Sequence, residues 1–275
     1  MYTACQSSIS FRRRFKLSRG MRHRLRLWVV RSGALLSFFG CAGCVSEKIA
    51  ADLEPPPVPQ FIPRSSELDL VEQGVDATAE GNYIYIAWYP SDAGDLAGYR
   101  VYRQAQDSVS FLPPELIEDL PLSELSSAST PDYLDRSSLL APNAQTGLSS
   151  GFYYWVSAYD AGGNESGLSE SAFYKLLPKA TLSPPVQQND SLVIQWGYTS
   201  ASVSQVDYFV VRLFQSSGGD WVPFWLQQHS FFDPLRVVYP QPLAAGTYRV
   251  QVDVVGAAPS DQPAGSESAL MFNLP

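Results

Sequence analysis

The chain has 275 residues, 45% of them hydrophobic and 17% charged, enough apolar matter for packed cores and too few charges for global disorder. Its length is too great for one small domain and comfortable for two. A net charge of −8 disfavours a nucleic-acid partner, and three Cys with two His leave little room for a disulfide framework or a zinc site.

The charge is unevenly placed. Residues 1–43 hold nine basic groups, eight Arg and Lys16, and no acid. The rest of the chain holds ten basic and 27 acidic groups, a net of −17. After the basic run comes an apolar stretch over 32–44 that ends in small residues. A positive region, about a dozen apolar residues and a small-residue end describe an export signal. The stretch is shorter than the ~20 apolar residues of a membrane-spanning helix. Arg31 stops its extension backwards through Val29 and Val30, and 21–43 alone makes a complete signal starting at Met21.

The sequence Cys41-Ala42-Gly43-Cys44 resembles the lipobox of bacterial lipoprotein signal peptides. The resemblance implies that 1–43 is removed and that Cys44 carries the lipid, with Cys41 as the rival position. It also implies, from Val45 after Cys44, sorting to the outer membrane. A soluble secreted protein cut near here is the alternative. Two or more acyl chains hold a protein stably on a bilayer. Residues 44–66 then read as the lipidated end and a tether. Glu54-Pro55-Pro56-Pro57-Val58-Pro59 favours extended polyproline II, a semi-rigid spacer.

Beyond the tether, short β-rich runs alternate with turn signals, and no long stretch shows the 3.6-residue period of a capped helix. Tyr83–Trp88, Leu96–Arg103 and Gly151–Ala158 are strands of a first unit, closed by the turn Asp160-Ala161-Gly162-Gly163-Asn164. Leu192–Trp196, Val206–Leu213 and Gly246–Val252 repeat that order. Trp88 to Tyr154 spans 66 residues and Trp196 to Tyr248 spans 52; the extra length falls at the acidic stretch 112–128, read as a solvated loop or short helical turn. Two units of about seven strands each fit a pair of β-sandwiches.

Trp88, Tyr99-Arg100-Val101, Gly151–Ala158 and the ending Asp160–Ser166 resemble the fibronectin type III domain. Trp196, Phe209-Val210-Val211 and Gly246–Val250 resemble it less closely, and a generic immunoglobulin-like sandwich stays open there. The expected fold is all-β: two tandem sandwiches, 67–178 and 179–275, after the signal peptide and tether. Trp88, Tyr99, Tyr154, Trp196 and Tyr248 are the expected core residues. A buried Trp can plug the gap between sheets roughly 10 Å apart. Tyr154 and Tyr248 are assigned the tyrosine corner, with the hydroxyl returning to nearby backbone.

The residue inventory points away from catalysis. Beyond Cys44 there is no thiol, and His229 stands alone in a loop-like Gln227–Ser230 stretch, read as solvated. No Cys or His pair offers zinc ligands, and no cofactor is expected. Glu115, Glu118, Asp119 and Glu124 are the best carboxylate cluster for a glycosidase, and a solvated acidic loop is the simpler reading. Asp160, Asn164 and Glu165 are oxygen donors for Ca²⁺ or, more simply, turn residues. Alternation along Trp221–Leu226 puts Trp221 and Trp225 on one face, a candidate platform for a sugar or a protein hot spot. The reading is a non-enzymatic envelope lipoprotein, held on the membrane by its anchor, that binds or spaces an envelope protein or glycan. A carbohydrate-binding accessory module resting on Trp221 and Trp225 is the alternative.

Overall fold

Runs rich in Val, Ile, Tyr and Phe, broken by Gly, Pro and Asn, become strands, most of which bury one face. The computed structural model describes residues 53–107, 112–199, 205–257 and 262–275. The signal peptide, Cys41 and Cys44 lie outside the described residues.

The first unit contributes β1 (Asp76–Ala77), β2 (Ile84–Ala87), β3 (Leu96–Ala105), β4 (Glu115–Pro121), β5 (Asp132–Asp135), β6 (Gly151–Asp160) and β7 (Ala172–Leu176). One sheet runs β1-β2-β5 and the facing one β4-β3-β6-β7. The second unit contributes β8 (Thr181–Leu182), β9 (Val186–Gln188), β10 (Ser191–Gly197), β11 (Val206–Ser217), β12 (Asp220–Ser230), β13 (Arg236–Tyr239), β14 (Gly246–Gly256) and β15 (Ala264–Leu274). Its sheets run β13-β10-β8, with β9 also on β10, and β12-β11-β14-β15. Both units are therefore antiparallel fibronectin type III or immunoglobulin-like sandwiches.

The cores repeat. Trp88 meets Tyr99 edge-on at 5.3 Å, and Trp196 meets Phe209 edge-on at 5.5 Å. Trp88, Tyr99, Tyr154, Trp196 and Tyr248 are all buried. β3 is bulged between Leu96 and Gly98 against β6, and β11 is bulged between Val206 and Tyr208 against β14, the same place in each copy.

Three expectations change. The tether does not extend to residue 66: Ile62 N–H donates to Ala87 at 3.1 Å, and Gln60 accepts from Tyr89 N–H at 2.9 Å, so Gln60–Ile62 edges the first sandwich. The polyproline run ends where backbone donors resume and can pair. The acidic stretch is no loop, because Glu115–Pro121 forms edge strand β4 on β3, and only Leu122–Glu124 turns as a short 3-10 helix. The charges suit an edge that must not recruit other strands. Tyr248 makes the expected corner, its hydroxyl 2.9 Å from the Ala244 carbonyl. Tyr154 does not: its hydroxyl donates to the Asp135 carboxylate at 2.9 Å, which also takes Arg103 at 2.8 Å. Register explains the difference. Ala158 faces Tyr99 and Val254 faces Phe209, so Val250 is the counterpart of Tyr154 and Tyr248 lies one β-period earlier.

The two sandwiches share a sheet. β7 and β15 pair in parallel, Lys175 beside Ala264 and Leu176 beside Gly265, giving the order β12-β11-β14-β15-β7-β6-β3-β4. Leu176 belongs to the first core and Ala264 to the second. Their positions in the pairing point to opposite faces, so the two cores lie on opposite sides of one eight-stranded sheet. The chain crosses in one step, since Leu177 already belongs to the second core. The connector is then stitched down: Ser266 and Ser268 hydroxyls donate to Pro178 and Ala180 carbonyls at 2.8 and 2.7 Å. Glycine is required at 265, where a Cβ would stand 2.8 Å from the Tyr174 hydroxyl oxygen and 2.9 Å from the Val254 carbonyl oxygen.

Trp88→Ala is expected to cost on the order of 3–5 kcal/mol, read as a lowered urea midpoint. An unchanged midpoint would remove Trp88 from the core.

Candidate functional site

The predicted platform is not built. Leu213 faces Trp225 and Phe214 faces Pro223, which leaves Phe224 as an extra, bulged residue on β12. Trp221 faces Ser216, three positions from Leu213, so the two indoles point to opposite faces. Trp225 packs on the second core, 5.5 Å from the Tyr239 ring, while Trp221 is half-buried on the other side. The bulge moved the alternation by one residue. His229 is likewise not a solvated loop residue. It lies on β12, is 9% exposed, and meets the Trp196 ring edge-on at 5.1 Å.

Glu115 and Glu118 share a face of β4 and line a shallow hollow with Tyr133 and Asp135, whereas Asp119 faces the other way and Glu124 is exposed on the 3-10 turn. Asp119 pairs with Arg100 at 3.1 Å, which with a Tyr159 hydrogen bond holds its carboxyl below the usual range despite some desolvation. Glu165 accepts from Tyr102 and Ser157 hydroxyls at 2.6 Å each and pairs with Arg100. Asp160 accepts from the Asn164 amide groups, backbone and side chain, at 2.8 Å. These bonds close a turn, as the simpler reading holds.

The densest chemistry lies at the joint between the sandwiches. Residues 64–76 form a strap from the first sandwich that lies over the outer face of β11 and β14. Arg212 of β11, 1% exposed, donates to the Asp69 carbonyl at 3.1 Å, to the Glu67 carbonyl, to Glu72 at 2.9 Å and to Asp253. Gln251 and Asp253 of β14 are buried and joined at 3.0 Å. Arg64 pairs with Glu67 and Asp76 and stands 5.0 Å from the Tyr174 ring centroid. The Tyr174 hydroxyl donates to Asp76 at 2.6 Å, and burial beside that carboxylate pushes the phenol well up. Lys179 donates to the Thr78 and Ala79 carbonyls at 2.6 and 2.9 Å.

The carboxylate oxygens of Glu67, Glu72 and Asp76 lie within 4.8 Å of one another, as do those of Glu72, Asp253 and Glu267. Arg64 and Arg212 supply the positive charge among them. Burial first, then neighbouring carboxylates, pushes Glu72 up to about 9 and Glu267 up to about 8. Burial lowers Lys179 to about 8 against the pull of Glu267 and Glu80.

Beside the joint runs a groove of about 610 Å³, lined in part by Val58, Ile62, Val75, Ala172, Phe173 and Pro263. β15 reaches only Lys175 and Leu176 of β7, so Ser171–Phe173 keeps an open backbone edge toward this groove among the described residues. Arg64 belongs both to the groove wall and to the joint.

The sequence reading missed Arg212, Gln251, Asp253 and the strap. The signal was present: Arg212 interrupts Phe209–Leu213, and Gln251 and Asp253 alternate with Val250, Val252 and Val254. Polar residues at every second position of a strand otherwise rich in Val mark a second, covered face.

No protein-family model matches the chain. No curated protein matches it either. Among solved structures, the chicken CNTN1 FN1-FN3 domains are similar to it at a TM-score of 0.35 and 12% identity, over 79% of this chain and 68% of theirs.

Arg212→Ala leaves Glu72 and Asp253 without their cation, and the expected loss is about 3–5 kcal/mol. Arg100→Ala, at a surface pair, is expected to cost less than about 1 kcal/mol. Equal losses in thermal unfolding would show that the joint contributes no more than a surface bridge.

Proposed function

We propose that the chain is a non-enzymatic, lipid-anchored envelope protein whose two sandwiches act as one rigid unit that spaces and docks a protein partner. The observation that carries this reading is the eight-stranded sheet shared through β7 and β15, reinforced by the strap. Tandem domains on a free linker would move independently; here Leu176 and Leu177 sit in different cores and leave no slack.

The buried titratable groups serve this rigidity, with Arg212 and its partners joining the sandwiches and His229 meeting Trp196 edge-on. Pro55–Pro57 and Pro59 suit a spacer between the anchor and the first strand pair. The groove with its open β-edge is where an extended segment of an envelope protein adds as a strand.

Cys44→Ser is expected to move the protein from the membrane fraction to the soluble fraction, while Cys41→Ser leaves it membrane-bound. A Cys44→Ser protein that still sediments with membranes would sink the anchor assignment. Phe173→Arg, in the groove wall, is expected to lower crosslinking to envelope proteins about tenfold without changing fractionation; unchanged crosslinking removes the groove as the docking place.

A further inference from the structure

We infer that the joint between the sandwiches is a proton-held latch: Glu67 and Glu72 of the strap share a proton, and alkaline conditions release the strap from the second sandwich. The argument begins with charge counting at the joint. Five carboxylates meet there: Glu67, Glu72 and Asp76 from the strap and its end, Asp253 from β14, and Glu267 from β15. Glu72 belongs to both close triads and is the point where they join.

Four cations face them from the packed elements. Only Arg64 of the strap and Arg212 of β11 pair with these carboxylates directly. Lys179 of the connector gives its hydrogen bonds to two backbone carbonyls, with Glu80 also near it. Arg249 of β14 gives one to Gln251 and lies over Phe214. The other facing titratable groups are Tyr174 of β7, bound to Asp76, Tyr85 of β2, opposite Asp76, and Tyr208 of β11. The joint is thus one positive charge short even when all four cations are counted, and like charges this close in a poorly solvated place cannot all ionise. A proton makes up the difference, held between the Glu67 and Glu72 carboxylates, whose oxygens lie within 4.8 Å of each other.

The pH dependence follows from the direction of the shifts. In a released, solvated strap Glu72 ionises near 4.5; docked, it holds its proton to about 9. Docking therefore takes up a proton between these values. Its contribution is full below about pH 4.5 and is lost as pH rises through about 9. Glu267 adds the same sign up to about pH 8. Lys179 has the opposite sign between about 8 and 10.5, and its neutralisation also removes a cation from beside Glu267.

The test is amide hydrogen exchange on the full-length protein in detergent from pH 7 to pH 10, corrected for intrinsic exchange rates. Peptides covering Ser65–Gln73 are expected to lose at least tenfold protection in the wild type, while peptides from β6 and β14 keep theirs. Glu72→Gln, neutral at every pH, is expected to abolish most of that loss, and Glu267→Gln to shrink it and end it at lower pH, since the Glu267 charge helps to keep Glu72 protonated. The latch is overturned by a flat wild-type profile, by equal loss in wild type and Glu72→Gln, or by β6 and β14 losing protection together with the strap. If Glu72→Gln fails to fold at pH 7, Glu267→Gln and the wild-type profile still decide the matter.

Discussion

Two residue pairs in parallel, Lys175 beside Ala264 and Leu176 beside Gly265, set the relation of everything else. Parallel pairing of two terminal strands puts the remaining strands of each sheet on opposite flanks. It also sends consecutive side chains, Leu176 and Leu177, into opposite cores. With the cores on opposite faces, the outer face of β11 and β14 lies on the side of the first core. That face would otherwise be open to water. Here it receives the strap and becomes an interior.

An interior between two sandwiches has its own rules. Each sandwich core is filled by apolar side chains from its own two sheets. The joint is filled by whatever polar groups each outer face carries, and these must satisfy one another when water leaves. Arg212 does so by reaching two strap carbonyls and two carboxylates at once. Arg64 does so with two carboxylates and the Tyr174 ring. The groove is the adjoining place where this covering stops, and Arg64 is common to both.

The parts of the fold legible in the sequence are those in which a residue's type decides its place locally. Trp88 and Trp196 end β-rich apolar runs just before turns, where a large ring fills the gap between the sheets. The Asp160–Asn164 turn has its own side-chain bonds. What was not legible depends on bulges and on pairings distant in the chain. One extra residue, Phe224, reverses the facing of Trp221 relative to Trp225, and nothing in a strictly alternating reading marks it. Glu115–Pro121 reads as a loop from its charges but pairs with β3, where Arg100 opposite Asp119 accepts an acidic neighbour. His229 looks solvated beside two Gln, until Trp196, more than thirty positions away, is brought against it. The strap is the extreme case, since its role exists only once two domains have met.

The antiparallel seating of Gln60–Ile62 on Ala87–Tyr89 has a mechanical consequence. Tension entering through the N-terminal segment along that strand meets its hydrogen bonds to Ala87 and Tyr89 first. The same tension reaches Arg64 two residues later and Glu67 five residues later, and through the Glu67 carbonyl it is passed to Arg212 in the second sandwich. A chain pulled from this end would hand the strain to both sandwiches before either had to unfold.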